Sequence, residues 1–203
     1  MYLQSFGINP KLISMDDYFV EKEDTPLDEN GKPDYECLEA VDTKLFDKQM
    51  AALLRGEKVT VPTFNFAAGI KEYKHEIQFA DDDIMIIEGI HALNEQMSSL
   101  IPKHQKFKIF ISPQIQINMD NHTPMSTTDL RLIRRIVRDN QFRNSPAKQT
   151  MSMWSSVRRG EFKWIYPNQE GADYVYNSEL TYELCVLKKY AIPLLKEIGV
   201  EDE

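Results

Sequence analysis

The sequence predicts an α/β domain, a parallel sheet flanked by helices, with a small β-hairpin beside it and a basic segment after it. Three observations carry that expectation. Ile84-Met-Ile-Ile87 is a short unbroken apolar run that ends in Glu88-Gly89, the pattern of a parallel strand buried on both faces. Lys11-Leu-Ile-Ser-Met15 reads as a second strand, and it too ends in a carboxylate, Asp16. Residues 129–142 then show a helical period. Ligands of open α/β sheets bind where strands end at their carboxyl termini. Asp16 and Glu88 are therefore candidate functional groups from the outset.

The elements follow in order. Met1 to Phe6 has the look of the last turn of a helix, closed by Gly7 in a left-handed cap. Residues 20–36 carry Pro26, Gly31 and Pro33 and form a long loop, a length that is often functional. Asp42 is placed to cap a helix whose Phe46, Met50, Leu53 and Leu54 share a face and which Gly56 closes. Val59 to Phe66 is strand-like, but Pro62 confines it to an edge or an end. After a turn at Ala67-Ala-Gly69, Glu72 to Phe79 alternates, so residues 59–80 make a hairpin outside the main sheet. Asp81-Asp-Asp83 is a solvated turn. Ala92 to Ile101 suits a short helix, Lys106 to Ile111 a strand, and 112–126 a loop.

Thr127 or Thr128 caps the next helix. Its Leu130, Ile133, Ile136 and Val137 form the apolar face; Arg131, Arg134, Arg135 and Arg138 gather opposite. Asp139 is the one acidic residue at helical spacing, four positions from Arg135. Otherwise uncompensated guanidinium groups on one face suit a polyphosphate, whose oxygens the planar fork grips. Residues 143–171 add Arg143, Lys148, Arg158, Arg159 and Lys163, with Gly160 as a hinge and Trp154 and Val157 seating a short helix, the composition of a basic lid. Trp164 packs rather than covers a base. Ala172 to Asn177 is a last strand, and Tyr182 to Ile198 an amphipathic helix disturbed at Pro193. Glu201-Asp-Glu203 is a solvated tail or a cut point.

Composition narrows the function classes. The chain has 203 residues, enough for a single domain with a real core. A formal net charge of -8 argues against a general nucleic-acid binder. No apolar stretch has the length of a membrane span, and no basic-then-apolar leader opens the chain. Two distant cysteines, Cys37 and Cys185, point to reduced thiols and a cytoplasmic protein. The four histidines, His75, His91, His104 and His122, show no metal-ligand spacing. His91, near Glu88, is a packing or substrate-edge residue.

Two strand-end carboxylates, a helix of arginines and a polar, aromatic loop system suit one chemistry: transfer of a phosphoryl group to a small hydroxyl compound. One carboxylate takes the hydroxyl proton, the other helps hold Mg²⁺, and the arginines neutralise charge on the moving group.

Six stretches, in order, carry a resemblance: Ile13-Ser-Met-Asp-Asp-Tyr-Phe19, Lys32-Pro-Asp-Tyr-Glu36, Val61-Pro-Thr-Phe-Asn-Phe66, Ile87-Glu-Gly-Ile-His91, Thr128 to Asp139, and Ser156-Val-Arg-Arg-Gly160. Together they resemble the uridine kinase and phosphoribulokinase family of P-loop kinases, in particular a bacterial uridine-kinase-like branch often fused behind other regions. The resemblance implies a P-loop-kinase-type sheet, ATP (or GTP) and Mg²⁺ as cofactors, and a nucleoside-type acceptor. A second copy of the chain or a fused N-terminal region is the partner class it leaves open.

It also implies roles. Asp16 is the general base toward the 5′-hydroxyl, with Arg138 as its catalytic companion on the phosphate. Asp34 and Arg135 hold the ribose hydroxyls. Phe64, Asn65 and Phe66 border the base, and His91 its edge. Glu88 belongs to the Mg²⁺ shell. Arg143, Arg158 and Arg159 clamp the donor phosphates. Phe64-Asn-Phe66 stands where uridine kinases have Tyr-Asp-Phe, which removes a phenol and a charge. The family's opening strand, G-x-x-x-x-G-K-[ST] loop and helix have no counterpart in these 203 residues. The expectation is therefore a family domain without its first strand and phosphate loop, with impaired ATP binding and transfer. The alternatives are a non-catalytic nucleotide- or partner-binding module, or a kinase of another small hydroxyl acceptor of the phosphoribulokinase or pantothenate kinase type.

Overall fold

Gly7 stops the first helix because only glycine enters its backbone conformation without cost (φ +77°). The computed structural model describes residues 2–66, 68–80, 82–115 and 117–199. In it α1 (Tyr2–Ser5) ends in a Schellman motif: Ile8 N–H donates to Leu3 O at 3.1 Å and Gly7 N–H to Gln4 O at 3.0 Å. Gly56 ends α2 (Thr43–Leu54) in the same way, at φ +76°. Met1, Ala67, Asp81 and the acidic tail, which figure in the expected helix end, turns and terminus, lie outside the described residues.

The strands form three two-stranded sheets among the described residues. β1 (Asn9–Ser14) pairs in parallel with β4 (Asp83–Glu88), in a register that sets Asn9 opposite Asp83 and Ser14 opposite Glu88. β2 (Val59–Asn65) and β3 (Ile70–Ile77) make the expected antiparallel hairpin; the register shifts between Val61 and Pro62, so the proline falls at an irregularity. β5 (Ile109–Ser112) pairs in parallel with β6 (Tyr174–Asn177). Parallel pieces flanked by helices are the predicted class. The strand at 106–111 begins later than its sequence suggests, because Lys106 turns its ammonium to Glu95 and Ser98, and β6 offers only four partners.

The chain folds as two compact units. The first comprises the described residues of Met1–Phe107 and Gly160–Gly171. Its core gathers Ile13, Met15, Tyr18, Phe46, Met50 and Leu53, with Met85, Ile87 and Trp164 packed against it. α2 supplies the apolar face as expected, except that Leu54 is 49% exposed, on the turn that unwinds into Gly56. β4 departs from its sequence pattern. Only its Met85 and Ile87 side faces the core; Ile84 is 44% and Ile86 37% exposed, beside Leu12 of β1 at 62%. The apolar run is covered on one face rather than two. The 92–101 segment is a single 3-10 turn, Glu95–Ser98, capped by Asn94, and not a helix.

The second unit comprises the described residues of Lys108–Arg159 and Ala172–Glu203. Its helices are α3 (Thr127–Phe142), α4 (Ala147–Gly160) and α5 (Glu183–Lys196), the last with Pro193 inside. Ser126, rather than Thr127 or Thr128, caps α3, accepting from the Thr128 amide at 3.1 Å. Leu130, Ile136 and Val137 are buried beneath it. α4 runs into a π-helical turn, Glu161–Ile165. Gly160 there is helical (φ -59°), not a turn or a break.

Candidate active site

Parallel, in-register pairing decides where the two carboxylates lie. Because Ser14 is opposite Glu88, the chain leaves β1 and β4 at the same end. Asp16 stands two residues beyond Ser14, half-buried in the 3-10 turn Met15–Tyr18. Glu88 is exposed at the strand end, and the Ser14 hydroxyl donates to its Oε1. Gly89 must be glycine: at φ +150° a Cβ would come within 2.6 Å of the Met15 Cβ. The chain thus turns sharply away from Glu88 over the first residue of the Asp16 turn. The two candidate carboxylates share one edge of the first unit, as the sequence led one to expect.

The hairpin meets that edge. Phe64 and Phe66 stack edge-to-face with ring centroids 5.1 Å apart, and Phe19 joins both, at 5.9 Å and 6.4 Å. Phe19 is a member of the cluster that sequence reasoning missed; its signal was its place three residues after Asp16. Asp17 was missed too. Its Oδ1 accepts the Phe64 amide at 3.0 Å. Burial raises the Asp17 pKa, and neighbouring Asp16 pushes the same way, against the Phe64 hydrogen bond and His75. Asn65 is occupied within the hairpin: its amide donates to Glu72 and its Oδ1 accepts from Ala68, at 3.0 Å and 3.1 Å.

Asp34 is half-buried and makes an Asx turn, accepting the Glu36 amide at 3.0 Å. His91 is 1% exposed, edge-on to Trp164 at 5.7 Å, and makes no hydrogen bond of good geometry through either ring nitrogen. Burial lowers its pKa, with the backbone of Cys37 and Glu36 pulling the other way. Gly160 closes this junction, where a Cβ would lie 2.5 Å from the Glu36 Cβ. Its smallness serves close packing, which is why it can sit inside a helical run.

In the second unit Arg131, Arg134, Arg135 and Arg138 line a cleft of about 330 Å³ with Trp154. The arginines are not uncompensated as their helical spacing suggested. Arg134 forms a bidentate pair with Glu183 of α5, one arm at 2.5 Å, and donates to Ser178. Asp139, buried, receives Arg138 at 2.8 Å and Arg135 at 3.4 Å, with Arg143 at 4.0 Å. The Thr150 hydroxyl donates to it at 3.3 Å. Arg135–Asp139 is the pair that four-residue spacing marks; Glu183 is a tertiary partner and Arg138 is adjacent to Asp139, so that spacing could not find those two. Arg158 is half-buried and Arg159 exposed near the end of α4.

The model of the Phosphoribulokinase / Uridine kinase family matches residues 13–182. The chain belongs to that family. A uridine kinase of Macrococcus caseolyticus is 26% identical over 170 residues, covering 83% of this chain and 74% of that protein. One of Halobacterium salinarum is 24% identical over 171 residues, covering 83% of this chain and 68% of its own. The fold also matches a structure described as a "Possible Uridine Kinase" from Bacillus stearothermophilus, with a TM-score of 0.53 at 15% identity over 87% of this chain and 76% of the other. The fold is therefore of the P-loop-kinase type, and the protein is uridine-kinase-like. No described helix is long and apolar enough to cross a membrane.

A family of this kind uses a nucleotide and Mg²⁺. The residues present fit the metal in a specific sense. No group of three or more His, Cys, Asp or Glu side chains among the described residues converges as a metal cage. Mg²⁺ needs no such cage; it keeps water and binds through one or two carboxylates plus substrate phosphates. An exposed Glu88 oriented by a serine hydroxyl suits that role.

Proposed function

We propose that the protein binds a nucleoside-type acceptor at the β1–β4 edge for phosphoryl transfer from ATP (or GTP) to its 5′-hydroxyl, and that these 203 residues alone are impaired in transfer. The observation that carries this reading is the placement of Asp16, Glu88 and the Phe19–Phe64–Phe66 rings within one unit, around one strand end. A half-buried carboxylate there takes the hydroxyl proton as the oxygen attacks. The rings give a base or other flat group an apolar wall, with Phe66 exposed toward it. Asp34 serves the ribose, and His91, buried against Trp164, acts by packing and not at the edge of the acceptor. Arg138 on α3, and Arg143, Arg158 and Arg159 in the lid-like segment 143–171, neutralise phosphate charge. Glu88 would hold the Mg²⁺ that accompanies the nucleotide, and that ion would supply positive charge to its phosphates. No G-x-x-x-x-G-K-[ST] run cradles those phosphates in the sequence, which is the reason for proposing impairment.

Calorimetric titration with a panel of nucleosides, sugar phosphates and pantothenate, followed by a coupled assay with ATP and GTP, tests both parts. Nucleoside binding with negligible turnover is the expected result. Binding confined to a sugar phosphate or pantothenate moves the acceptor class. Binding of nucleotide with no acceptor leaves a non-catalytic module, and brisk turnover removes the impairment.

A further inference from the structure

We propose that Asp17, rather than serving the chemistry as its neighbour does, is the positioning residue that holds the acceptor's aromatic wall against the end of β1. The proposal rests on the functional reading above. Among the described residues β2 has a single strand neighbour, β3, so an amide on its other edge has no ladder partner there. Phe64 presents such an amide, and the Asp17 carboxylate accepts it at 3.0 Å across 47 residues of sequence. Ring packing of Phe19 on Phe64 and Phe66 joins the hairpin to the same segment, and farther along the Lys22 amide donates to Gly69 O at 3.0 Å. Ring contacts are adaptable in angle, whereas a charge-assisted hydrogen bond fixes direction. The Asp17 carboxylate therefore fixes the Phe64 backbone, and with it the ring that backbone carries, beside Asp16, the adjacent residue.

The neighbouring carboxylates divide the work by geometry. Asp16 stays in the turn at the strand end, while Asp17 is spent on the hairpin backbone. Burial and the adjacent Asp16 both favour a protonated Asp17, and the Phe64 amide opposes them. A protonated carboxyl or an amide at this position still offers an oxygen to Phe64, but a methyl group does not.

Three proteins decide the matter: the wild type, Asp17→Asn and Asp17→Ala. Amide hydrogen exchange at Phe64 and the Kd of the tightest-binding nucleoside are read for each, with thermal unfolding as the control for folding. Asp17→Ala is expected to speed Phe64 exchange and to raise the nucleoside Kd roughly tenfold, about the worth of one hydrogen bond to a charged group. Asp17→Asn is expected to restore both to within about twofold. If the alanine variant does not fold, Asp17→Ser, whose hydroxyl is too short to reach, takes its place. Unchanged exchange in the alanine variant overturns the proposal, and so does faster exchange with an unchanged Kd. A wild type that binds no nucleoside overturns the functional reading and the acceptor role with it, while exchange at Phe64 still reports separately on the pinned hairpin.

Discussion

The Ser14 hydroxyl donates to Glu88 Oε1 across the parallel β1–β4 pair. It orients the carboxylate proposed to meet the metal, and outer partners of this kind are worth roughly 10–100-fold in metal affinity. In a chain given a strand–GxxxxGK[ST]–helix segment ahead of Tyr2, Ser14→Ala should weaken Mg²⁺ binding in the nucleotide complex about tenfold. Glu88→Gln should weaken it further. Titration of Mg²⁺ at saturating nucleotide measures both.

In the same extended chain, Asp16→Asn should cut kcat by a factor on the order of 10²–10⁴, the usual worth of a general base. Nucleotide affinity should stay nearly intact. Unchanged turnover would remove Asp16 from the chemistry.

Asp42 caps α2, accepting the Leu45 amide at 3.0 Å, and pairs with Lys71 at 3.0 Å. Asp42→Ala should cost about 1 kcal/mol, chiefly through the cap. Burial by itself raises this pKa, but the Leu45 and Lys71 bonds outweigh it, and the net shift is below the usual 3.8. A lowered acid stabilises the fold above its unfolded pKa and loses that contribution as pH falls through the folded value. The gap in Tm between wild type and Asp42→Ala should therefore be widest near neutrality and close on strong acidification.

His91 adds to the loss of stability on acidification. Burial lowers its pKa below the usual 6.5, so the unfolded chain takes up the proton first. Stability should fall as pH drops through that region and level off once the folded histidine is charged. His91→Phe, which keeps a ring against Trp164, should flatten the Tm profile as pH falls below the ordinary histidine value of 6.5.

Asp139 gathers Arg138, Arg135 and Arg143 in the second unit. Replacing it with Asn leaves guanidinium groups without their shared counter-charge. The cost should be about 2 kcal/mol, moderated because Arg138 is partly exposed. Urea unfolding of the two proteins gives the comparison, and an unchanged midpoint would mean that solvent already screens the cluster.

The features legible in the sequence were those with local causes. An apolar run stopped by a carboxylate marked the ends of β1 and β4. Gly7 and Gly56 marked left-handed helix ends, and Asp42 a cap. What escaped was set by partners distant in sequence. Glu183 lies 49 residues from Arg134, and Asp17 lies 47 from Phe64. The one-sided burial of β4 escaped for a related reason: a run of Ile and Met states that its faces are apolar, not whether anything packs on both. Ser126 outcompeted the two threonines for the α3 cap by one position, within the ordinary uncertainty of helix ends.

The uncovered faces of the two parallel pairs have a practical consequence. Leu12, Ile84 and Ile86 on one, and Ile109, Ile111, Tyr174 and Tyr176 on the other, offer oily surface on strands that, among the described residues, pair on one edge each. Dyes that fluoresce on greasy patches will glow with the folded protein, so brightness in such an assay is no measure of denaturation here. Mild detergent or added glycerol during handling should dim that glow and keep the preparation from clumping, with the backbone circular dichroism unaltered.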